Sequence, residues 1–400
     1  MTERHPDSRP ELDWYALVDR LLLEHGRLEP MELLLAADLL GYEDYEAWRL
    51  GQRSDLQGAL RIGPDEAAEL LRRAAAYASG QRLAPNDVEY RGWGGADRSL
   101  SIGSHEGFVA ACAIAYAPPA DRAQLDLFQD TSAVLAEEEI RRALAERRME
   151  DARRQMGRLI QQNPRHSRLG GYLQLVQAID EGGAAGAARP ADRLGELEAI
   201  ERLAEELLGH RARDLVTPLW VGFAEQLSGQ AFAPEHPQLH ASHAWARAGR
   251  WDAVRAAVEA EVDWCDHPVL VLSHGEACWR QRRTAAAWRD WMWLCWEHPS
   301  AAEHAFAYRA FPDRRLSDHW SRFGDLDQAV ATEDFPAWLL IADPAAAAVP
   351  PEAAPSDERG AAYRLLHALT GDGDTIARRQ GLAEVHPGLL ETFLAARPRA

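Results

Sequence analysis

Apolar residues recur at intervals of three and four along most of this 400-residue chain, and glycine, proline or aspartate interrupts the pattern at short intervals. Two clear examples are Trp14, Leu17, Val18, Leu21 and Leu22, and then Ala67, Leu70, Leu71, Ala74 and Ala78. This period places the apolar side chains on one face of an α-helix, and the interruptions limit each helix to about 10–15 residues. The sequence therefore predicts a mainly α fold built from short helices.

One segment departs from the helical period. Between positions 88 and 116, apolar and aromatic residues alternate or are separated by glycines, and three glycines surround Trp93 within residues 92–95. Alternation favours strands and clustered glycine favours turns. We expect a small non-helical insertion, either a hairpin or an ordered loop, near residues 88–116.

Changes of composition predict the domain boundaries. Prolines occur near 117–122, glycine and alanine dominate 182–190, and proline and alanine dominate 343–355. Such segments are typical of linkers. The predicted organisation is an N-terminal helical unit with the insertion over 1–118, a helical unit over 119–181, a tryptophan-rich helical unit over 192–342, a linker over 343–356 and a C-terminal helical tail over 357–400.

Three short motifs indicate that helix pairs repeat along the chain. They occupy residues 147–152, 249–254 and 324–329, and each combines a bulky residue, acidic residues and a small or short apolar residue at similar offsets. In the first motif, the helix that follows Ala152 ends at Pro164, twelve residues later. Small side chains at such offsets allow two antiparallel helices to approach closely.

This pattern resembles the second half of a tetratricopeptide unit. The first motif departs from that family by having Arg147 where glycine is preferred, and the second has Val254 where a small residue is preferred. The resemblance implies antiparallel helix hairpins stacked as an α-solenoid, which would hold another protein or a peptide in a concave groove. Ordinary helical hairpins in an all-α domain are the alternative.

Tryptophan is concentrated in one part of the chain, because eight of the fourteen tryptophans lie between positions 245 and 296. Tryptophan and arginine are enriched at interface hot spots. The predicted partner-binding residues are Trp279, Arg280, Arg282, Arg283, Trp288 and Trp291. Alternatively, the indole rings fill a core that is otherwise built from alanine.

Histidine and cysteine offer candidate metal ligands. Pro237 predicts a helix start that would place His240 and His243 on one helical face, and Cys265, His267, His274 and Cys278 supply nitrogen and sulfur donors within fourteen residues. The spacing matches no familiar zinc module. We therefore predict no metal and no cofactor, and we keep these six residues as ligands of an alternative, metal-dependent enzyme.

Catalytic motifs are not apparent. The chain contains no lysine, which excludes Schiff-base lysines and a P-loop lysine, and it lacks the glycine-serine-glycine elbow of hydrolases. Its four cysteines are too few for a disulfide framework in a chain of this length. We expect a protein with reduced thiols and no catalytic activity of its own.

The net charge of −19 disfavours binding to nucleic acid over most of the surface. Residues 37–51 nevertheless resemble a helix-turn-helix of the phage-repressor type, with Gly41 at the turn and Trp48 near the end, although acidic residues lie where the helix would meet DNA. A DNA-binding regulator is therefore an alternative function. It would require a basic patch made of Arg49, Arg53, Arg61, Arg72 and Arg73.

Apolar stretches such as 31–40 and 268–273 are too short to span a membrane, and residues 1–10 lack the layout of a secretory signal. The use of arginine in place of lysine, together with many alanines, is typical of a GC-rich bacterial genome. We expect a cytoplasmic, bacterial, helical-repeat scaffold or adaptor that mediates interactions between proteins.

Overall fold

The computed structural model describes residues 14–94, 98–119, 131–182, 189–308, 311–326, 331–370 and 375–396. Within these ranges the chain forms short α-helices and one two-stranded sheet, which confirms the predicted mainly α class. None of the helices in these ranges is both long enough and apolar enough to cross a membrane. Gly95, the predicted boundary segments 120–122 and 183–188, and positions 327–329 of the third motif lie outside the described residues.

The chain divides into two compact units between Phe223 and Ala224. The helices of the N-terminal unit are α1 (Trp14–His25), α2 (Pro30–Ala36), α3 (Tyr42–Arg49), α4 (Pro64–Gly80), α5 (Glu106–Cys112), α6 (Thr131–Ala145), α7 (Met149–Gln162), α8 (Leu169–Gly182), α9 (Pro190–Leu208) and α10 (Ala212–Leu227), the last of which runs across the division. Prolines begin several of these helices because a fixed φ and a missing N–H suit the first turn. Trp48, Leu34 and Phe108 are fully buried in the core of α1–α5.

The insertion near 88–116 contains both loop and helix. Strands β1 (Ala84–Asp87) and β2 (Ile114–Ala117) pair in antiparallel register, with Ala84 opposite Ala117. Helix α5 lies just before β2, and His105 caps it by accepting the amide hydrogen of Phe108 at 3.1 Å. The prediction of a wholly non-helical insertion is therefore corrected, because this cap stabilises a seven-residue helix that is too short to show a period in the sequence.

In the parts that the structure describes, the C-terminal unit consists of helices and connecting turns and contains no strand. Its helices are α11 (Ala241–Arg247), α12 (Trp251–Glu259), α13 (Pro268–Arg280), α14 (Thr284–Glu297), α15 (Pro299–Ala307), α16 (Arg314–Gly324), α17 (Phe335–Ala342), α18 (Ala361–Thr370), α19 (Ile376–Val385) and α20 (Pro387–Ala396). One aromatic core joins α13 to α20, and it includes the buried rings of Trp291, Trp296, Phe335 and Tyr363.

Residues 343–356 differ from the linker that their composition predicts. They form two short 3-10 turns, Pro344–Ala348 and Pro351–Ala353. Ala346 and Val349 are fully buried in the aromatic core, and the hydroxyl of Tyr363 donates a hydrogen bond to the carbonyl of Val349 at 2.8 Å. Proline and alanine occur here because the chain turns tightly against the core. The other predicted boundaries stay predictions.

Three helix pairs, α6–α7, α11–α12 and α13–α14, are joined by the same turn, in which the second helix begins two residues after a left-handed residue. One residue in each turn has a left-handed backbone, namely Arg147 (φ 55°), Gly249 (φ 71°) and Arg282 (φ 63°). The amide of the next residue returns to a carbonyl five residues earlier, from Arg148 to Ala143 at 2.8 Å, from Arg250 to Trp245 at 2.9 Å and from Arg283 to Cys278 at 2.9 Å. This closure is the Schellman motif, which ends one helix and aims the chain into the next. The α2–α3 pair has the same hydrogen-bonded closure after left-handed Asp38, from Leu39 to Leu34 at 2.9 Å, but its second helix begins later, at Tyr42.

The packing after each turn repeats as well. The fifth residue beyond the left-handed position is fully buried in all three pairs, and these residues are Ala152, Val254 and Ala287. Helices α7 and α14 also end alike, since Asn163 and His298 each donate a backbone hydrogen bond to a buried leucine carbonyl four residues earlier. The three turns are therefore instances of one local structure.

Candidate functional site

The six predicted partner-binding residues separate into a buried pair and an exposed group. Trp288 and Trp291 are only 3% and 1% exposed. The indole nitrogen of Trp288 donates to Asp313 at 2.7 Å, and the ring of Trp291 lies 4.8 Å from that of Phe311. This corrects the prediction for these two tryptophans, because rings that fill the space between α14 and its neighbours cannot contact a partner.

The other four residues lie on the surface of α13 and on the turn that follows it. Trp279 is half-buried, and Arg282 and Arg283 are exposed. The guanidinium of Arg280 lies 5.3 Å from the ring centroid of Trp251 and 3.0 Å from a carboxylate oxygen of Glu276. Aromatic and cationic groups therefore adjoin each other here.

Apolar side chains extend this surface along α13. Val269 is 43% exposed, and Leu272 is partly exposed where it packs against the core. Positions separated by three or four residues share a helical face. The α13 face is defined here as Val269, Leu272, Glu276, Trp279 and Arg280.

The predicted zinc ligands do not form one cluster. His240 precedes α11 in an extended conformation, and its Nδ1 accepts the amide hydrogen of Ser242 at 3.4 Å. The prediction that His240 and His243 share a helical face is wrong, because the helix begins at Ala241 and His240 is its cap. The ring of His267 lies 4.8 Å from that of Phe232.

His274 and Cys278 do come together, one turn apart on α13. Asp290 faces them from α14, and the Nδ1 of His274 lies 2.6 Å from its Oδ2 and 3.8 Å from the Sγ of Cys278. All three side chains are buried. The His274 centre is defined as these three residues. Cys265 is placed differently, since its backbone carbonyl accepts the indole hydrogen of Trp293 at 3.3 Å.

Two carboxylates hold the imidazole of His274. Its second nitrogen, Nε2, lies 3.3 Å from Glu259 on α12, opposite the contact to Asp290. Burial by itself lowers the pKa of His274, but hydrogen bonds and charge from Asp290 and Cys278 raise it to about 10. The ring of Trp264 covers the imidazole, with centroids 4.5 Å apart.

The hairpin closes tightly around this centre because position 275 is glycine. A Cβ there would overlap the indole nitrogen of Trp291 and lie 2.9 Å from its Cδ1. Gly275 thus lets α13 and α14 approach until His274 reaches Asp290.

A second polar cluster lies in the N-terminal unit and was missed by the sequence analysis. The hydroxyl of Tyr42 donates to the carboxylate of Asp214 at 3.0 Å, and the Nε of Arg147 donates to the carbonyl of Asp214 at 2.6 Å. Arg147 also pairs with buried Glu46 and stacks 4.6 Å from the ring centroid of Trp93. The turn residue of the α6–α7 pair therefore reaches into the interior of the unit.

Tyr42, Glu46, Arg147 and Asp214 are called the Asp214 cluster. The pKa values of several groups in and around it are strongly shifted. Burial, reinforced by Asp214 and Glu29, raises the pKa of Glu32 to about 8, and burial raises the pKa of Asp214 to about 6. Burial and the neighbouring His25 lower the pKa of His210 to about 3. Such shifts occur both at functional sites and in structural ion-pair networks. Glu32 and Asp214 are far apart in the sequence, so no local motif marked them.

Four of the five arginines that a DNA-binding regulator requires are buried or paired with carboxylates, whereas Arg73 is exposed. Arg49 is 5% exposed, and Trp48 beside it is fully buried. Arg53 pairs with Asp44, Arg61 with Asp38 and Arg72 with Glu69. The helix pair α2–α3 thus directs its last turn into the core, and nearby carboxylates neutralise these surface arginines.

An apolar cavity of about 500 Å³ opens beside α4 and α5 in the N-terminal unit. Its lining includes Ala68, Leu71, Ala110 and Ile114. At its rim the Nε2 of His105 lies 2.9 Å from Asp65. The lining is mostly apolar, although Asp65, Arg72 and His105 also contribute to it.

No protein-family model, curated protein or solved structure matches this chain. The chemistry of its own side chains is therefore the guide to function. Of the features described, the α13 face combines exposed aromatic, apolar and cationic groups, whereas the His274 centre and most of the Asp214 cluster are buried.

Proposed function

We propose that this protein is a non-catalytic, helical-repeat scaffold that binds a segment of another protein on the α13 face. The observation that carries the proposal is the recurrence of one turn, one backbone closure and one buried position in α6–α7, α11–α12 and α13–α14. This recurrence supports tetratricopeptide-like hairpins stacked as an α-solenoid. Proteins of that kind bind extended or helical segments along a concave surface.

The composition of the α13 face supports a protein partner. Trp279 and Arg280 are of the residue types that dominate interface hot spots, and Val269 and Leu272 add apolar area beside them. Arg282 and Arg283 continue the basic character into the turn, on a chain whose net charge is −19. Charge complementarity favours a partner segment that carries acidic side chains around an apolar anchor.

The buried groups support a role without catalysis. Cys278 and Asp290, the nucleophile and the carboxylate nearest to His274, are 1% and 2% exposed. A substrate needs access to the reacting atoms, and the core covers these side chains. Acidic residues near the α2–α3 pair also repel phosphates, which disfavours the DNA-binding alternative.

The test is affinity capture from an extract of the source organism with three forms of the full chain. These are the wild type, a double variant of the α13 face (Trp279→Ala with Arg283→Ala) and a matched double variant on α7 (Ile160→Ala with Arg158→Ala), whose residues are also exposed. We expect one protein to be held by the wild type and the α7 variant, and its affinity for the α13 variant to fall at least about tenfold.

Equal recovery of that protein by both double variants would remove the α13 face as the binding surface. Nucleic acid recovered without protein, and lost as salt rises, would support the regulator instead. Circular dichroism of the three forms checks that the substitutions leave the helical content unchanged.

A further inference from the structure

We propose that the His274 centre is a zinc site that clamps α13 to α14 inside the C-terminal unit. His274, Cys278 and Asp290 each offer one donor atom, and these atoms all lie within 4.8 Å of one another. Imidazole nitrogen, thiolate sulfur and carboxylate oxygen are the ligands that zinc takes in proteins. This site is independent of the α13 face and adds a ligand to the proposed scaffold.

The distances suit a single tetrahedral ion. Zinc bonds of about 2.0 Å to nitrogen and about 2.3 Å to sulfur place those two ligand atoms about 3.5 Å apart. The Nδ1 of His274 and the Sγ of Cys278 are 3.8 Å apart, because residues four apart on a helix project from the same face. The Oδ2 of Asp290 lies 2.6 Å from the same nitrogen and needs to move outward by less than an ångström to admit the ion.

Residues outside the three ligands orient two of them, His274 and Asp290, for this role. A metal-binding histidine almost always gives its other ring N–H to a carboxylate, and here Nε2 faces Glu259 at 3.3 Å. Arg255 holds Glu259 with contacts of 2.8 and 2.9 Å to its two oxygens. Arg289 bonds the Oδ1 of Asp290 at 3.2 Å, which leaves Oδ2 directed at His274. The imidazole is thereby held with Nδ1 toward Cys278 and Asp290.

Proton balance is simple at this site. Zinc binds the bare imidazole nitrogen and the thiolate, so any proton on the Nδ1 of His274 or on the Sγ of Cys278 passes to solvent when the ion binds. Glu259, whose side chain is 46% exposed, lies on the solvent side of His274 and marks the entry path.

Burial assigns the ion a structural role. The side chains of His274 and Asp290 are 4% and 2% exposed, so a bound ion is out of reach of a substrate. Because the ligands come from both helices of the pair, binding to the folded state stabilises the hairpin by mass action.

The test uses the full chain, stripped with a chelator and then titrated with Co²⁺ and Zn²⁺ in competition with a metal indicator. We expect one ion per chain and, with Co²⁺, thiolate-to-metal charge-transfer absorption together with the visible bands of tetrahedral cobalt. Cys278→Ser should remove the charge-transfer absorption and weaken zinc binding at least about tenfold. Cys295→Ser is the matched control, because Cys295 is another buried thiol, on α14, that donates to the carbonyl of Trp291.

A second variant keeps the proposal open to refutation if Cys278→Ser folds poorly. Glu259→Gln, at a part-exposed position, should weaken zinc binding by about 10–100-fold without loss of helical structure. Glu276→Gln, a part-exposed glutamate on α13, should bind zinc like the wild type. Failure of the wild type to bind one zinc ion, or the same cobalt spectrum in Cys278→Ser and the wild type, would overturn the proposal.

Discussion

The α6–α7 and α13–α14 pairs share a turn, a closing hydrogen bond and a buried fifth residue, yet their interiors differ. In the first pair, the apolar residues Ala152 and Met156 of α7 are buried. In the second pair, Gly275 receives the indole of Trp291 and a polar centre forms beside it. A common backbone closure therefore sets where helices cross, while the residues at the crossing decide what chemistry the pair encloses.

The turn residues differ in the same way. Arg147 and Arg282 both adopt a left-handed backbone, which is unfavourable for a side chain with a Cβ. Arg147 reaches buried Glu46 and the carbonyl of Asp214, whereas Arg282 is exposed. The strain at position 147 is offset by the contacts of the Asp214 cluster.

The largest expected effect is a difference in stability between variants of these two turns. Arg147→Gly removes the partner of Glu46, whose side chain is 4% exposed, and leaves a buried charge that costs about 3–5 kcal/mol. Relief of the left-handed strain returns about 1 kcal/mol, so we expect a loss of about 2–4 kcal/mol in the free energy of unfolding of the N-terminal unit. Urea unfolding followed by hydrogen exchange of α3 and α6 measures it. If Arg147→Gly changes the free energy of unfolding in the same way as Arg282→Gly, the contacts of Arg147 contribute nothing.

The next expected effect is an opposite change in stability when alanine replaces a glycine in each of the two helix pairs. Gly275→Ala places a Cβ against the buried ring of Trp291, and we expect a loss of about 1–3 kcal/mol because the ring has no space to move. Gly157→Ala on α7 meets no heavy atom within 4 Å, and the higher helix propensity of alanine should stabilise by about 0.5–1 kcal/mol. Thermal unfolding of both variants measures these changes. If both variants raise the unfolding temperature, or both lower it, the prediction is wrong.

A third prediction concerns pH in the cluster that Arg147 enters. The pKa of Glu32 is raised to about 8 in the folded chain, so the folded state keeps this proton while the unfolded state loses it above about pH 4.5. Stability of the N-terminal unit should therefore fall as pH rises from about 5 to 8, and Glu32→Gln should reduce that fall by roughly 1–3 kcal/mol.

Hydrogen exchange of α2 and α10 peptides at graded urea concentrations, at pH 5 and pH 8, measures this slope. Glu66→Gln on the exposed side of α4 is the control and should leave the slope unchanged. An identical slope in Glu32→Gln and the wild type would show that the carboxyl is ionised in the folded chain.

The smallest expected effect tests whether the three turns are equivalent. Gly249→Ala adds a Cβ at a φ of 71° and should cost about 1 kcal/mol. Arg282→Gly removes the corresponding strain and should stabilise by less than about 1 kcal/mol, since glycine also gains freedom in the unfolded chain. Chemical denaturation measures both changes in the free energy of unfolding. If both variants change it in the same direction, the turns at Gly249 and Arg282 are not equivalent.

Several features were predictable because they arise within one or two helical turns. The apolar period predicted the helices, and the motifs at 147–152 and 249–254 mark two of the three shared turns. The third turn was missed because it has neither glycine nor an acidic pair. One signal was available, since Pro299 follows Ala287 by twelve residues, as Pro164 follows Ala152.

The tryptophan-rich segment shows where periodicity fails. Trp288 and Trp291 share one face of α14 and Trp296 points to another, yet all three are buried because neighbouring helices cover this helix on several sides. A helix that is apolar all round has no polar face from which exposure can be predicted. Only the packing separated Trp279, on the surface of α13, from these rings.

The sequence by itself determined the mainly α class and the exclusion of lysine chemistry, because these depend on residue type and on spacing within a few turns. Tertiary structure decided which polar groups interact: Asp290 contacts His274, and the charge of Asp214 acts on Glu32. Such pairs join segments from separate helices, and burial and charge act through space. Their pKa values and ligand geometry therefore exist only once the helices have packed.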